Sequence, residues 1–274
     1  MGLLNIDKDK CKKDGICVRE CPFSIIRLGK DDGYPDIVPD NEASCLTCGH
    51  CVAVCPTGAL SHGNIPIEAS PVIKKELEIS EEQAVQFLRS RRSIRFYKEK
   101  PVEQEKVLRL IEAARYAPTA GNTQLVKWSV LSDRSLIGKL AGMTIDHIRQ
   151  SLKENPDKAY ARFPAILAEW ESGRDSILRN APVLVVASAP KAAVNGLVDV
   201  TLALCYLDLL APTMSLGTCW AGLLYSAMLS LPSVREIAGV PAHHSHYYPM
   251  MLGYPRIERY YRLPERKPPK ISFR

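Results

Sequence analysis

No G-x-G-x-x-G run and no P-loop occurs in these 274 residues, and no two glycines stand two positions apart. A separate Rossmann domain for NAD(P)H needs a glycine-rich strand-to-helix turn beneath the pyrophosphate, so it is excluded. The opening MGLLNIDKDK has no basic stretch leading into a long apolar run, and no signal peptide is expected. Gly2 is followed by Ile6 where a myristoylation signal needs Ser or Thr. Charge is scarce from Val200 to Val234, where Asp208 stands alone. That run could pass for a membrane span, but Asp208, Pro212 and Gly217 interrupt it, and a central Asp costs about 3 kcal/mol in a bilayer helix. The expectation is a buried helix followed by a core strand, at a subunit interface, with no membrane partner. A disulfide framework is lacking too. Of nine cysteines, seven crowd into the first 55 residues, and Cys205 and Cys219 are isolated. Reduced thiols point to a cytoplasmic location.

The crowded cysteines have a pattern. Cys45, Cys48, Cys51, Cys55 and Pro56 form C-x2-C-x2-C-x3-C-P, the ligand run of a bacterial ferredoxin. Zinc sites use two separated pairs instead. An earlier copy precedes it: Cys11, Cys17, Cys21 and Pro22 recur 34 residues later as Cys45, Cys51, Cys55 and Pro56, and Gly15 recurs as Gly49. Such a repeat implies a two-cluster ferredoxin domain in which each loop lends its last Cys to the other cluster. One 4Fe–4S cluster would take Cys45, Cys48, Cys51 and Cys21. The other would take Cys11, Cys17, Cys55 and the residue at position 14, which is Asp14 where the repeat predicts Cys. Two readings of Asp14 stand: a harder, weaker carboxylate ligand to a labile fourth iron, or a turn residue beside a 3Fe–4S cluster. Either makes this the more labile cluster.

The net charge of +6 is unevenly spread. Residues 1–60 carry seven Lys and Arg against nine Asp and Glu, and residues 61–274 carry 29 against 21. Excess Lys and Arg usually marks a solvated face, and nucleic acid is a further reading. A basic domain around an anionic cofactor accords better with the motifs below, so no nucleic-acid partner is expected.

Residues 1–60 read as the ferredoxin-like domain, 61–79 as an extended linker with two prolines, and 80–274 as a larger domain ending in a basic, Pro-rich arm from Tyr254. Ser80-Glu81-Glu82-Gln83 is a capping box that opens a helix. Val107, Leu110, Ile111 and Ala114 give a second helix over about 102–116, stopped by Pro118. Strands are expected at 126–131, 182–189 and 247–252, and a helical stretch over 137–179 broken at Pro156 and Pro164. The order indicates α+β, a central mixed sheet packed by helices. His243, His244 and His246 lack a Cys or carboxylate at ligand spacing and read as a surface loop. Tyr160, Phe163 and Trp170 read as packing or as a lid.

Just after the first of these helices, Arg91, Arg92, Ser93 and Arg95 gather guanidiniums and a hydroxyl in one short run, chemistry that suits phosphate oxygens. This run, RRSIR at 91–95, joins YAPTAGNTQ at 116–124, RNAPVLVVA at 179–187, SLGTCWAGLL at 215–224, MLGYP at 251–255 and LPERKPP at 263–269. In that order they resemble the nitroreductase family of FMN enzymes over about residues 80–270. The whole chain resembles a ferredoxin-fused member.

The resemblance implies FMN and a homodimer with two FMN at its interface. It gives Arg91, Arg92 and Ser93 the flavin phosphate and ribityl chain, and Arg95 the pyrimidine edge. It brings Pro118, Thr119, Asn122 and Gln124 to the flavin of the other subunit, with Thr119 in place of the commoner Ser. The family's Pro-Trp after the Gln is replaced by Leu125 and Val126. Cys219, Trp220, Ala221 and Gly222 would line the flavin ring, Cys219 as a small buried wall rather than a redox thiol. Arg266 and Lys267 would close on the phosphate, with Arg262 as a substitute. The implied function is an FMN-dependent oxidoreductase, fed through its clusters by ferredoxin or NAD(P)H, that reduces an electron-poor organic acceptor such as a nitroaromatic or quinone. The alternatives are a non-catalytic electron-transfer module between proteins, or a reductive dehalogenase or flavin-consuming relative of the same fold.

Overall fold

The computed structural model describes residues 2–154 and 160–274. The chain forms two compact units, Met1–Ile79 with Gly121–Thr123, and Ser80–Ala120 with Gln124–Arg274.

The smaller unit is built on the sequence repeat. Strand β1 (Leu4–Ile6) is followed by helix α1 (Ile16–Glu20), the hairpin β2 (Ile26–Leu28) and β3 (Pro35–Ile37), helix α2 (His50–Ala53) and strand β4 (Leu60–His62). The strands pair antiparallel as β1–β4 and β2–β3. Gly15 and Gly49 precede α1 and α2 with φ of 67° and 75°. This left-handed backbone favours glycine, which is why the glycine repeats along with the cysteines. Cys17, Ile25, Ile26, Cys51, Val52 and Leu60 make the core, a small one for a unit with so few regular elements.

The first part of the stretch 61–79 is built into the smaller unit, while residues 71–79 are exposed and largely irregular. Ser61 and His62 complete β4, and the Ser61 hydroxyl accepts from the Ile67 N–H at 3.1 Å, anchoring the 3-10 turn Ile67–Ala69. Side-chain bonding and strand pairing hold this first part, where Pro66 suggests an extended tether.

The larger unit opens with α3 (Glu81–Ser90) and α4 (Gln104–Ala114). Both bonds of the capping box form: Gln83 N–H donates to Ser80 Oγ at 3.2 Å, and Ser80 N–H donates to Gln83 Oε1 at 2.9 Å. Then come β5 (Lys127–Leu131), α5 (Arg134–Glu154), α6 (Phe163–Glu171), β6 (Val183–Pro190), α7 (Gly196–Leu210), β7 (Gly217–Trp220), α8 (Gly222–Ser230), α9 (Pro232–Ile237) and β8 (His244–Gly253). Pro164 falls in the first turn of α6 rather than breaking a helix, a place where its missing N–H costs nothing. Pro156 lies outside the described residues.

The strand order is β5-β6-β8-β7, and all three pairings are antiparallel among the described residues, where a mixed sheet is expected. β8 returns between β6 and β7 and opposes both. Along β6, alternate residues serve opposite faces. Leu184 and Val186 join the core formed with α5, α8 and α9, while Val183, Val185, Ala187 and Ala189 meet α4 and α7. His244 and His246 belong to β8 rather than to a loop. His244 is buried with Nδ1 2.9 Å from Ser188 Oγ, while its neighbour His243 is exposed.

The run Gly196–Met214 is long and apolar enough to cross a membrane by length and composition. It packs one side on the sheet through Val200, Ala203, Leu204 and Leu207, and leaves Leu197, Val198 and Tyr206 exposed. A buried helix is thus half correct.

Gly217 marks the tightest approach to the 91–95 segment. A Cβ there would lie 2.4 Å from Ile94 Cγ1 and 2.9 Å from Ile94 Cβ. Gly217→Ala is expected to lower stability by about 1–3 kcal/mol through overpacking. At Gly138 in α5 a Cβ meets nothing within 4 Å, so Gly138→Ala is expected to add about 0.5–1 kcal/mol. Denaturant melts of the two variants check both signs.

Candidate functional site

In the smaller unit the seven crowded cysteines are all free thiols, and they gather around two cavities. One is lined by Cys21, Cys45, Cys48 and Cys51 with His62. The other is lined by Cys11, Asp14, Cys17 and Cys55 with Lys12 and Lys13. Each set takes three residues from one copy of the repeat and the fourth from the other. Asp14 reaches the wall of its cavity, and its Oδ1 also accepts from the Ile16 N–H at 3.0 Å, the turn that starts α1.

These sulfurs suit cationic iron. Burial pushes the Cys51 thiol up to about 11 and raises that of Cys17. A thiolate at such a position needs a compensating positive centre, which ligation supplies. Donors already point at other sulfurs: Ala59 N–H lies 3.2 Å from Cys55 Sγ, and Thr47 N–H lies 3.4 Å from Cys45 Sγ. Cys45 Sγ is also 3.5 Å from Nε2 of His62, which is 2% exposed.

Asn122 belongs to this unit by its contacts. Its side-chain amide donates to the carbonyls of Leu46 and Thr47 at 3.1 and 2.8 Å, bracing the loop between Cys45 and Cys48. Sequence reasoning misses the bond because its acceptors are backbone atoms 75 and 76 residues away.

In the larger unit, residues 91–95 run beside β7, with Ile94 N–H donating to the Thr218 carbonyl at 2.8 Å. An extended segment sends alternate side chains to opposite sides. Arg92 and Ile94 face a cavity of about 600 Å³ that Lys98, Lys100, Ser215, Gly217, Thr218 and Arg259 also line. Arg95 faces a second cavity, of about 370 Å³, walled by Tyr160, Arg162, Arg179, Cys219, Trp220, Ala221 and Gly222. The first turn of α8 starts at Gly222, so its free N–H groups and positive dipole end border this space. Burial raises the Cys219 thiol, as suits a small inert wall rather than a reactive sulfur. Tyr160 lines the cavity, while Phe163 and Trp170 pack on the core.

Arg91 takes a different partner. Its Nη1 lies 3.6 Å from Oδ2 of Asp208, a carboxylate buried on α7. Asp208 also accepts from the Thr218 hydroxyl and, at 3.2 Å, from Trp220 Nε1. One buried carboxylate therefore ties an arginine of the 91–95 run to two residues of β7. Its signal in the sequence is its solitude, the one charge in a long apolar run.

The loop after α4 is held locally. Thr119 Oγ1 accepts from the Gln124 N–H at 3.0 Å, and Asp199 Oδ1 accepts from the Ala120 N–H at 3.0 Å. Pro118, Thr119 and Gln124 line neither of the two cavities described. Arg266 and Lys267 are exposed in the extended tail, which Glu265 joins to Arg89 at 3.2 Å. Arg259, nearer to β8, lines the first cavity, on a tail that runs back along residues 89–98 through the Tyr97–Pro255 bridge and the Arg89–Glu265 pair.

Comparison with known proteins follows this division. Residues 9–60 match the 4Fe-4S dicluster domain, and residues 88–254 match the nitroreductase family. A putative NADH dehydrogenase/NAD(P)H nitroreductase of Archaeoglobus fulgidus is 23% identical over 183 residues, covering 65% of this chain and 88% of that protein. A ferredoxin of Hydrogenibacillus schlegelii, named Ferredoxin 7Fe, is 42% identical over 64 residues, covering 23% of this chain and 76% of the ferredoxin. The crystal structure of a Bacteroides fragilis nitroreductase with bound FMN superposes with a TM-score of 0.56 at 21% identity, covering 71% of this chain and 99% of that one. With more than half of its length matched, this chain belongs to the nitroreductase family, and it carries a 4Fe–4S dicluster domain ahead of the nitroreductase domain.

Proposed function

We propose that the protein is an FMN-dependent oxidoreductase whose N-terminal unit relays electrons through two iron–sulfur clusters to reduce an electron-poor organic acceptor. The observation that carries this reading is the extended 91–95 segment, which presents Arg92 to one cavity and Arg95 to the next across β7. When bound, the clusters supply electrons singly and FMN gathers them in pairs for the acceptor.

The residues would act by holding and biasing. Arg91, Arg92 and Ser93 would hold the flavin phosphate and ribityl chain, and Arg259, which shares the first cavity with Arg92, would add a cation to those of Arg266 and Lys267. Guanidinium forks match phosphate oxygens, and several cations in one wall favour a dianion. Arg95 and the N-terminal turn of α8 would place positive potential where reduction leaves negative charge on the ring. Cys219, Trp220, Ala221 and Gly222 would form the apolar wall that excludes water.

Cys21, Cys45, Cys48 and Cys51 would ligate one cluster, and Cys11, Cys17, Cys55 and Asp14 would border the other. The ferredoxin from Hydrogenibacillus schlegelii bears the name 7Fe, a total that one 4Fe–4S and one 3Fe–4S cluster reach together. This favours a three-iron cluster beside Asp14. Leu197, Val198 and Tyr206 on α7, with Ile257 and Tyr261 on the arm, offer exposed apolar surface for a homodimer. Reduced cluster thiols accord with a cytoplasmic location.

Anaerobic purification should give brown protein with FMN, iron and sulfide in stoichiometric amounts. Dithionite or reduced ferredoxin should then drive reduction of a nitroaromatic or quinone. A colourless preparation that takes up neither iron nor FMN on anaerobic reconstitution would end this reading. NADH-driven rates unchanged by deletion of residues 1–60 would remove the clusters from the path. Flavin that reduces normally but reaches no small acceptor would favour a relay between proteins.

A further inference from the structure

The repeat contains its own control experiment. β2 (Ile26–Leu28) and β4 (Leu60–His62) occupy equivalent places in the two halves, offset by the same interval as the cysteines. Ile26 and Leu60 are both buried, at 4% and 2% exposure. The last position differs. Leu28 is 39% exposed and has no polar atom in its side chain, whereas His62 is 2% exposed and carries a ring beside Cys45.

The ring's orientation is settled by its neighbours. The Asn64 N–H donates to His62 Nδ1 at 3.1 Å. Nδ1 is therefore the acceptor of a neutral imidazole, and the proton sits on Nε2. Nε2 lies 3.5 Å from Cys45 Sγ, so an N–H points at this sulfur. With the Thr47 N–H at 3.4 Å, Cys45 receives two donors. Register fixes the backbone of His62 opposite Leu4, and burial with the Asn64 N–H bond holds the ring on it.

We propose that His62 tunes the cluster held by Cys45, Cys48, Cys51 and Cys21, as a fixed hydrogen-bond donor that raises its reduction potential and leaves the Asp14 cluster untouched. The proposal rests on the cluster reading above. Hydrogen bonds to ligating sulfur are among the levers that set iron–sulfur potentials, and partners behind the ligands commonly tune metal sites. The His62 N–H would stabilise the negative charge that one-electron reduction of a bound cluster places on the Cys45 thiolate. The proton stays on Nε2 and no covalent bond breaks. The electron comes from the added reductant.

The test is a dithionite potentiometric titration of the full-length, anaerobically reconstituted protein, followed by electron paramagnetic resonance. In His62→Leu the midpoint of one cluster is expected to fall by about a tenfold change in its reduction equilibrium, about 59 mV for one electron. The other midpoint stays in place, and it is the one that Asp14→Cys moves. His62→Gln, whose amide N–H reaches the place of Nε2, restores the wild-type value. His62→Asn, polar but too short, repeats the fall and carries the test if His62→Leu does not retain its iron. Midpoints equal to wild type in His62→Leu and His62→Asn, an equal shift of both clusters, or a Gln variant that behaves like Leu would each overturn the proposal. A wild-type protein with normal FMN but no cluster signal would instead overturn the cluster reading, and this proposal with it.

Discussion

Cys21→Ser is expected to remove the cluster bordered by Cys45, Cys48 and Cys51 and to spare the one bordered by its near neighbours Cys11 and Cys17. Iron and sulfide should fall to about half, and the signal that survives should be the one altered by Asp14→Cys. Cys55→Ser should give the reverse, with the Asp14 cluster lost. The reason is the crossed lining of the two cavities, in which Cys21 stands with the second loop and Cys55 with the first. A hydroxyl is a harder and poorer ligand to iron than a thiolate. The losses should also loosen the smaller unit, because its core is little more than Ile25, Ile26, Val52 and Leu60 around the cysteines themselves. Metal binding in such a unit is folding free energy. If Cys21→Ser depleted the Asp14 cluster instead, each loop would serve its own cluster and the crossed assignment would fall.

Arg91→Ala should weaken FMN binding about thirtyfold, since a charge-assisted hydrogen bond contributes about 2 kcal/mol. It should also cost about 1–3 kcal/mol of stability in the absence of flavin. Asp208 is buried, and the change takes away the cation 3.6 Å from it. The two effects separate in a double variant. Arg91→Met with Asp208→Asn removes both charges, so it should recover most of the stability while flavin affinity stays low. Isothermal titration with FMN and denaturant melts of the apoprotein read the two quantities independently. Flavin affinity unchanged in Arg91→Ala would detach this residue from the phosphate and leave Arg92, Lys98 and Arg259 to hold it.

Much of the molecule was readable before any coordinates because the relevant physics is local. A capping box closes within one turn, so Ser80 and Gln83 announce α3. A left-handed turn before each short helix selects glycine, so Gly15 and Gly49 repeat with their cysteines. Alternation along β6 follows from the pleat, and its buried residues stand out as an apolar run. The misreadings are also local in origin. Pro164 looks like a helix breaker until the chain reveals that a helix begins there, and Pro66 looks like part of a tether until the turn it precedes is anchored on Ser61.

The amino-acid order by itself determined the ligand spacing of the cluster loops, the doubling of those loops, and the arginine run that the nitroreductase match surrounds. Each depends on residues that are neighbours along the chain, where a few fixed bonds leave little freedom. Tertiary structure alone decided that His62 turns an N–H to Cys45, that Asp208 holds Arg91 and Trp220 together, and that Arg259 lines the same cavity as Arg92. Those meetings depend on strand register and on which helix crosses which strand. Such choices come from packing the whole core, and no short window of sequence contains them.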